Sequence, residues 1–147
     1  MQHLTSEDGS TIILRLDDGD LLLESLQELA SAEKLDCAVI VTGFGALKRT
    51  HIHVGEWDQL PPKNKYIVWE APVELCSLTG LIVDGQVHAH ITVSDGEKTI
   101  GGHLEPESVV LYLNEIVLHV IPGLKLTRRM SPEGLPILGQ PRLAAQP

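Results

Sequence analysis

The chain has 147 residues, 43% of them hydrophobic, which suits one domain with a sizeable core. Its 11 basic and 20 acidic residues leave a net charge of −9. Affinity for a phosphate backbone comes largely from Lys and Arg displacing counterions, so the bare chain is poorly equipped to grip DNA. No window approaches the ~18 apolar residues of a membrane span. Residues 1–8 lack the basic stretch and apolar run of a leader, and together these features predict a soluble, cytoplasmic protein with no membrane partner.

Residues 10–16 read as a first strand. Asp17-Asp18-Gly19-Asp20 then supplies turn chemistry for a helix over about 21–34, with Asp20 as N-cap and Leu22, Leu26, Leu29 and Ala30 at helical spacing. Strand-like runs follow at 37–42, 48–57, 66–69 and 73–83, then a hairpin over 86–105, then runs at 115–121 and 124–129. Residues 106–113 fit either an extended segment or a short turn. From Ser131 onward, Pro132, Pro136, Pro141 and Pro147 predict a fraying tail, which sets a single domain at 1–138 and a flexible tail at 139–147. Strands dominate, with one main helix.

The hairpin carries the chemistry. Asp95-Gly96 is a favoured two-residue turn, because both central positions need φ > 0. Centring the hairpin there pairs Val93 with Lys98, Thr92 with Thr99, His90 with Gly101 and His88 with His103. Side chains alternate along a strand and opposed Cβ atoms lie roughly 4.5–5.5 Å apart, so His88, His90 and His103 share one face. The other face, Val87, Ala89, Ile91, Val93, Ile100, Gly102 and Leu104, is apolar but for Lys98 at the turn, which is an independent test of the assignment. Three neutral imidazoles suit Zn²⁺ or a related divalent ion, with a fourth position open to water, substrate or another side chain. Glu105, two residues past His103 and opposite Gln86 in this register, is the first choice as fourth ligand or as the group that orients an imidazole.

Other features carry less. Gly43-Phe44-Gly45 lacks the third glycine of a dinucleotide fingerprint and any Gly-Lys-Ser/Thr, and reads as a strained turn or bulge between strands. His51-Ile52-His53 is a second His-x-His pair, but no third ligand can be placed beside it. Cys37 and Cys76 lie in apolar runs and read as buried free thiols. Lys125, Arg128 and Arg129 form the nearest thing to a basic cluster and read as an ordinary solvated patch.

Val41-Thr42-Gly43-Phe44-Gly45-Ala46-Leu47, Val73-Glu74-Leu75-Cys76-Ser77-Leu78-Thr79-Gly80, His88-Ala89-His90 and Gly101-Gly102-His103-Leu104 occur in that order after the strand and helix. In this the chain resembles the PPC domain, named for plants and prokaryotes, over roughly residues 11 to 138. The resemblance implies an α+β fold, an antiparallel or mixed sheet flanked by one helix, assembling as a homotrimer with His88, His90 and His103 as metal ligands. Plant members carry an AT-hook before the domain, which gives the family its DNA-binding label. This chain has no AT-hook and has Pro72-Val73 where the plant type has Arg-Phe before the Glu-containing core, so it looks like a stand-alone prokaryotic member.

The leading functional expectation is a homotrimeric module with a zinc-like three-histidine site, open to a small anionic or carbonyl ligand or serving a regulatory role. A DNA-associated transcriptional regulator is the alternative the family label suggests. A metal-dependent enzyme, with a metal-bound water and Glu105 as base, is the third. A cupin expects a Glu shortly after the His-x-His pair and a further His far downstream, a spacing this chain lacks.

Overall fold

In the computed structural model, which describes residues 1–141, the strands are β1 (Gln2–Thr5), β2 (Thr11–Asp17), β3 (Cys37–Gly55), β4 (Asn64–Trp69), β5 (Val73–Val83), β6 (Gln86–Ser94), β7 (Thr99–Leu104), β8 (Val109–Val120), β9 (Thr127–Met130) and β10 (Pro136–Gly139). The helix α1 (Leu22–Ala32) lies between β2 and β3. The main sheet runs β1-β2-β8-β3-β5-β6-β7 with β4 also on β3, and its ladders are antiparallel. This is the α+β architecture expected from the sequence.

β3 organises the sheet. Its 19 residues span what the sequence divides into two strands, and register shifts against β8 at Ile40/Thr42, Gly45/Ala46 and Leu47/Arg49 bend it. Gly45 has φ +143°, and a Cβ there would collide with the Asn114 side chain and the Leu113 carbonyl, so only glycine lets β3 and β8 approach. The Gly-rich segment is thus a set of bulges within one strand. Before the bend β3 pairs with β5 and β8; beyond it, with β4 and β7. The pairing of Ile52 with Leu104 and of His53 with His103 closes β3, β5, β6 and β7 into a ring around Ile52, Leu75, Leu78, Ile91 and Leu104.

The helix buries Leu22, Leu26, Leu29 and Ala30 on one stripe, as their spacing predicts, and packs against β6. Truncating one such leucine to alanine costs about 2–5 kcal/mol. Asp20 does not cap it. Leu21 is extended and bridges to Val109, the first helical N–H donates to the Ser108 carbonyl, and the Asp20 carboxylate accepts from the Asp17 N–H and pairs with the N-terminal ammonium.

Residues 106–113 are resolved by the tertiary fold: β8 begins at Val109, after a turn. The chain beyond Ser131 is more ordered than its prolines predict, because β10 pairs with β9 from Pro136–Met130 to Gly139–Thr127. Residues 142–147 of the expected tail lie outside the described residues. Cys37 is buried as expected, whereas Cys76 is exposed, since Leu75 and Leu78 take the inward positions of β5 and leave it facing out.

Candidate metal centre

The hairpin turn is centred one residue later than the sequence suggests. Asp95 Oδ1 accepts the N–H groups of Glu97 and Lys98 at 2.9 and 2.7 Å, and Ser94 Oγ accepts that of Gly96 at 3.1 Å. Asp95 therefore serves as the start of the turn, with Gly96 at φ +95° inside it, and the first ladder pair is Ser94–Thr99. Every partner moves by two residues. An even shift preserves which side chains share a face, so the three histidines stay together, but His90 now lies opposite His103, where the sequence reading placed Gly101.

His88, His90 and His103 converge. Their ring centroids are 4.7 Å (His88–His103), 5.3 Å (His90–His103) and 5.5 Å (His88–His90) apart, and one nitrogen from each lies within 4.8 Å of the others. The Nε2 atoms of His88 and His90 are 3.4 Å apart. Two nitrogens that each ligate a tetrahedral ion at about 2.0–2.1 Å stand about 3.3 Å from one another, so this donor set fits a zinc-like ion. Burial, with repulsion from His53, His88 and His90 added, lowers the pKa of His103 to about 4 against a weaker upward pull from Glu105. Burial first, then Arg128, lowers that of His88. Both effects keep these rings neutral, which is the state that ligates metal.

A fourth histidine joins the cluster from the bent half of β3. His53 lies opposite His103, with the rings stacked at 4.4 Å between centroids. A carboxylate only accepts, so the hydrogen bond to Glu105 Oε1 is donated by the His53 Nδ1–H, which leaves Nε2 as the nitrogen not engaged by Glu105. Glu105 follows the end of β7 and its own N–H donates to the His51 carbonyl, so its side chain belongs with His53 and His103, outside the His88–His90–His103 group and away from Gln86. His51 bonds the Pro106 carbonyl instead. The second His-x-His pair thus contributes one ring. Only its alternation on a strand signalled this, because the contact depends on β3 bending onto β7.

The two glycines before His103 are steric. A Cβ on Gly101 would press on the Ile91 carbonyl, and one on Gly102 on the His53 carbonyl, so glycine lets β7 lie close to both neighbours. The cluster opens into a cleft of about 740 Å³ walled by Val54, Val87, Leu135 and Pro136, with Arg128 of β9 on its rim.

Comparison with known proteins identifies the family. Residues 3–122 match the Plants and Prokaryotes Conserved (PCC) domain. The chain belongs to the PCC-domain family. Among solved structures, this PCC domain is similar to a plant- and prokaryote-conserved protein of Pyrococcus horikoshii, at 28% identity and TM-score 0.75 with 97% of each chain covered. It is also similar to a protein of Ralstonia eutropha JMP134 described as a "Putative DNA-binding protein", at 27% identity and TM-score 0.77 with 95% of this chain and 96% of that one covered. A curated relative, the bifunctional protein GlmU of Synechococcus sp. (strain JA-2-3B'a(2-13)), is 28% identical over 120 residues, 81% of this chain. The PCC domain spans 18% of that protein's length. Among the described residues, no helix is long and apolar enough to cross a membrane.

Proposed function

We propose that this PCC-domain protein is a metal-binding module that holds one zinc-like divalent ion per chain through His88, His90 and His103, working as a homotrimer with a binding or regulatory role. The observation that carries the reading is the 3.4 Å approach of the His88 and His90 Nε2 atoms beside the His103 ring. His53, its Nδ1–H held by Glu105, stacks on the His103 ring and supports it. A bound ion supplies Lewis acidity and an open position for a small ligand. The test is elemental analysis of untagged protein after Zn²⁺ addition and dialysis. About one ion per chain is expected, lost in His88→Ala and in His103→Ala because two remaining imidazoles bind far more weakly. Unchanged metal content in both variants refutes the assignment.

The DNA-binding description of the Ralstonia protein supports a second reading, a DNA-associated regulator. It stands below the first because the net charge is −9 and Lys48, Lys63 and Lys125 are paired with Asp18, Glu56 and Asp36. A discrete electrophoretic complex that survives competitor DNA at about 0.15 M salt reverses that order.

A further inference from the structure

Arg128 is the cation of the cleft. It is half-buried on β9, opposite Leu138 of β10, and borders both the main cleft and a second cavity of about 340 Å³, each of which also touches His88 and His90. Among the described residues its guanidinium has no ion pair and no hydrogen bond. Arg15 and Arg49, by contrast, are paired with carboxylates, and Arg129 donates to the Gln140 carbonyl. A half-buried guanidinium without a counter-charge is costly, and here it faces imidazoles that are themselves disfavoured as cations. A divalent ion on the histidines would add positive charge beside it, against which the site offers one carboxylate, Glu105, already engaged by His53. In a chain of net charge −9, this cleft is locally positive and calls for an anion.

The walls indicate which kind of anion. Val54, Val87, Leu135 and Pro136 are apolar, and the polar lining beyond the histidines and Arg128 comprises the neutral amides of Asn64 and Gln86. A guanidinium fork accepts either a carboxylate or a phosphate, but one cation beside apolar walls balances the single charge of a carboxylate and leaves a phosphate dianion short of donors. We infer that the cleft binds a small organic carboxylate, its charged end held by Arg128 beside the histidine centre and its hydrocarbon part lying along Val54, Val87, Leu135 and Pro136. This names the ligand class for the open position of the proposed metal centre, and rests on that reading for part of its charge balance.

The experiment is calorimetric titration of the zinc-treated full chain with hexanoate, alone and in the presence of an equal concentration of inorganic phosphate, alongside elemental analysis of the same samples. Hexanoate is expected to bind, and phosphate at equal concentration to leave it in place. Arg128→Gln is expected to weaken hexanoate binding by about tenfold or more with zinc content unchanged, since one charge-assisted bidentate contact is lost. Arg128→Lys, which keeps the charge and loses the fork, should fall between, and this second variant covers the case in which the first fails to fold by circular dichroism. Absence of hexanoate binding, equal binding in Arg128→Gln and wild type, or displacement of hexanoate by phosphate overturns the inference. Hexanoate binding that depends on Arg128 in a chain holding no zinc overturns the metal reading alone. Zinc held by the histidines with hexanoate binding indifferent to Arg128 overturns the carboxylate site alone.

Discussion

Glu105 accepts a hydrogen bond from Nδ1 of His53, so the acidic residue that follows the Gly-Gly-His motif is directed at a histidine of a different strand. The arrangement arises because β3 bends at its bulges and returns beside β7, with the Glu105 N–H anchored on the His51 carbonyl. Fixed by the carboxylate at Nδ1, the His53 ring stacks on His103 with 4.4 Å between centroids, so the pair holds one of the proposed ligand rings in place from behind. Glu105→Gln keeps the size and loses the charge. The expected result is a 10–100-fold fall in zinc affinity, read by competition with a chromophoric chelator, with no loss of secondary structure. Wild-type affinity in this variant would leave the pair with a structural role only.

The acid sensitivity of the metal-free protein should trace to His103. Its pKa, about 4 in the folded chain against 6.5 as the ordinary value, is depressed by burial and then by the neighbouring histidines. The unfolded chain therefore takes up this proton more readily than the folded one. The resulting stability is fully present above pH 6.5, is lost as pH falls toward 4, and changes no further below that. Urea midpoints of metal-free protein between about pH 7.5 and 4.5 should decline more steeply for wild type than for His103→Gln, and the His103 ring should titrate below pH 5 by NMR. Parallel declines would refute the assignment to His103.

Much of this was readable in the residues, and the failures share a cause. The apolar stripe of Leu22, Leu26, Leu29 and Ala30 marks the helix because helical period is local. The face shared by His88, His90 and His103 is legible because period 2 survives any even error in register. The exact turn is not, since it depends on Asp95 taking the first position of the turn, where its N–H donates to the Lys98 carbonyl and its side chain accepts from Glu97 and Lys98. His53 and Arg128 are invisible as site residues. One arrives through the bend in β3 and the other on a hairpin whose prolines suggested a tail, and neither contact has a local signature.

The bend itself can be tested at Gly45. Its φ of +143° disfavours any L side chain, and a Cβ would meet the Asn114 side chain and the Leu113 carbonyl across the β3–β8 ladder. Gly45→Ala is expected to destabilise the chain by about 2–4 kcal/mol, combining backbone strain with overpacking. Because the bend brings His53 to His103, zinc affinity should weaken as well. Gly85→Ala is the control, with φ +71° but open space around the added methyl, and should cost less. A chemical-denaturation midpoint equal for the two variants would sink the steric account.

The proposed homotrimer would bury apolar surface that one helix leaves uncovered. Ile13, Val41 and Phe44 are 48%, 52% and 49% exposed on β2 and β3, next to strand positions whose neighbours Ile12, Leu14 and Ile40 are fully buried. These positions lie on the two strands that flank β8, so the exposure is more than isolated surface leucines or valines, and closed cyclic packing would bury it without leaving a face for further growth. Sedimentation at micromolar concentrations should give three times the chain mass of 16.0 kDa. Phe44→Asp places a charge on that surface and should shift the species toward monomer, while His88, His90 and His103, which lie on other strands, keep their ladder positions. If zinc content falls together with the trimer in that variant, a neighbouring chain completes the site; if it stays, the histidines of one chain suffice. A monomer mass for the wild-type chain across that range refutes the trimer outright.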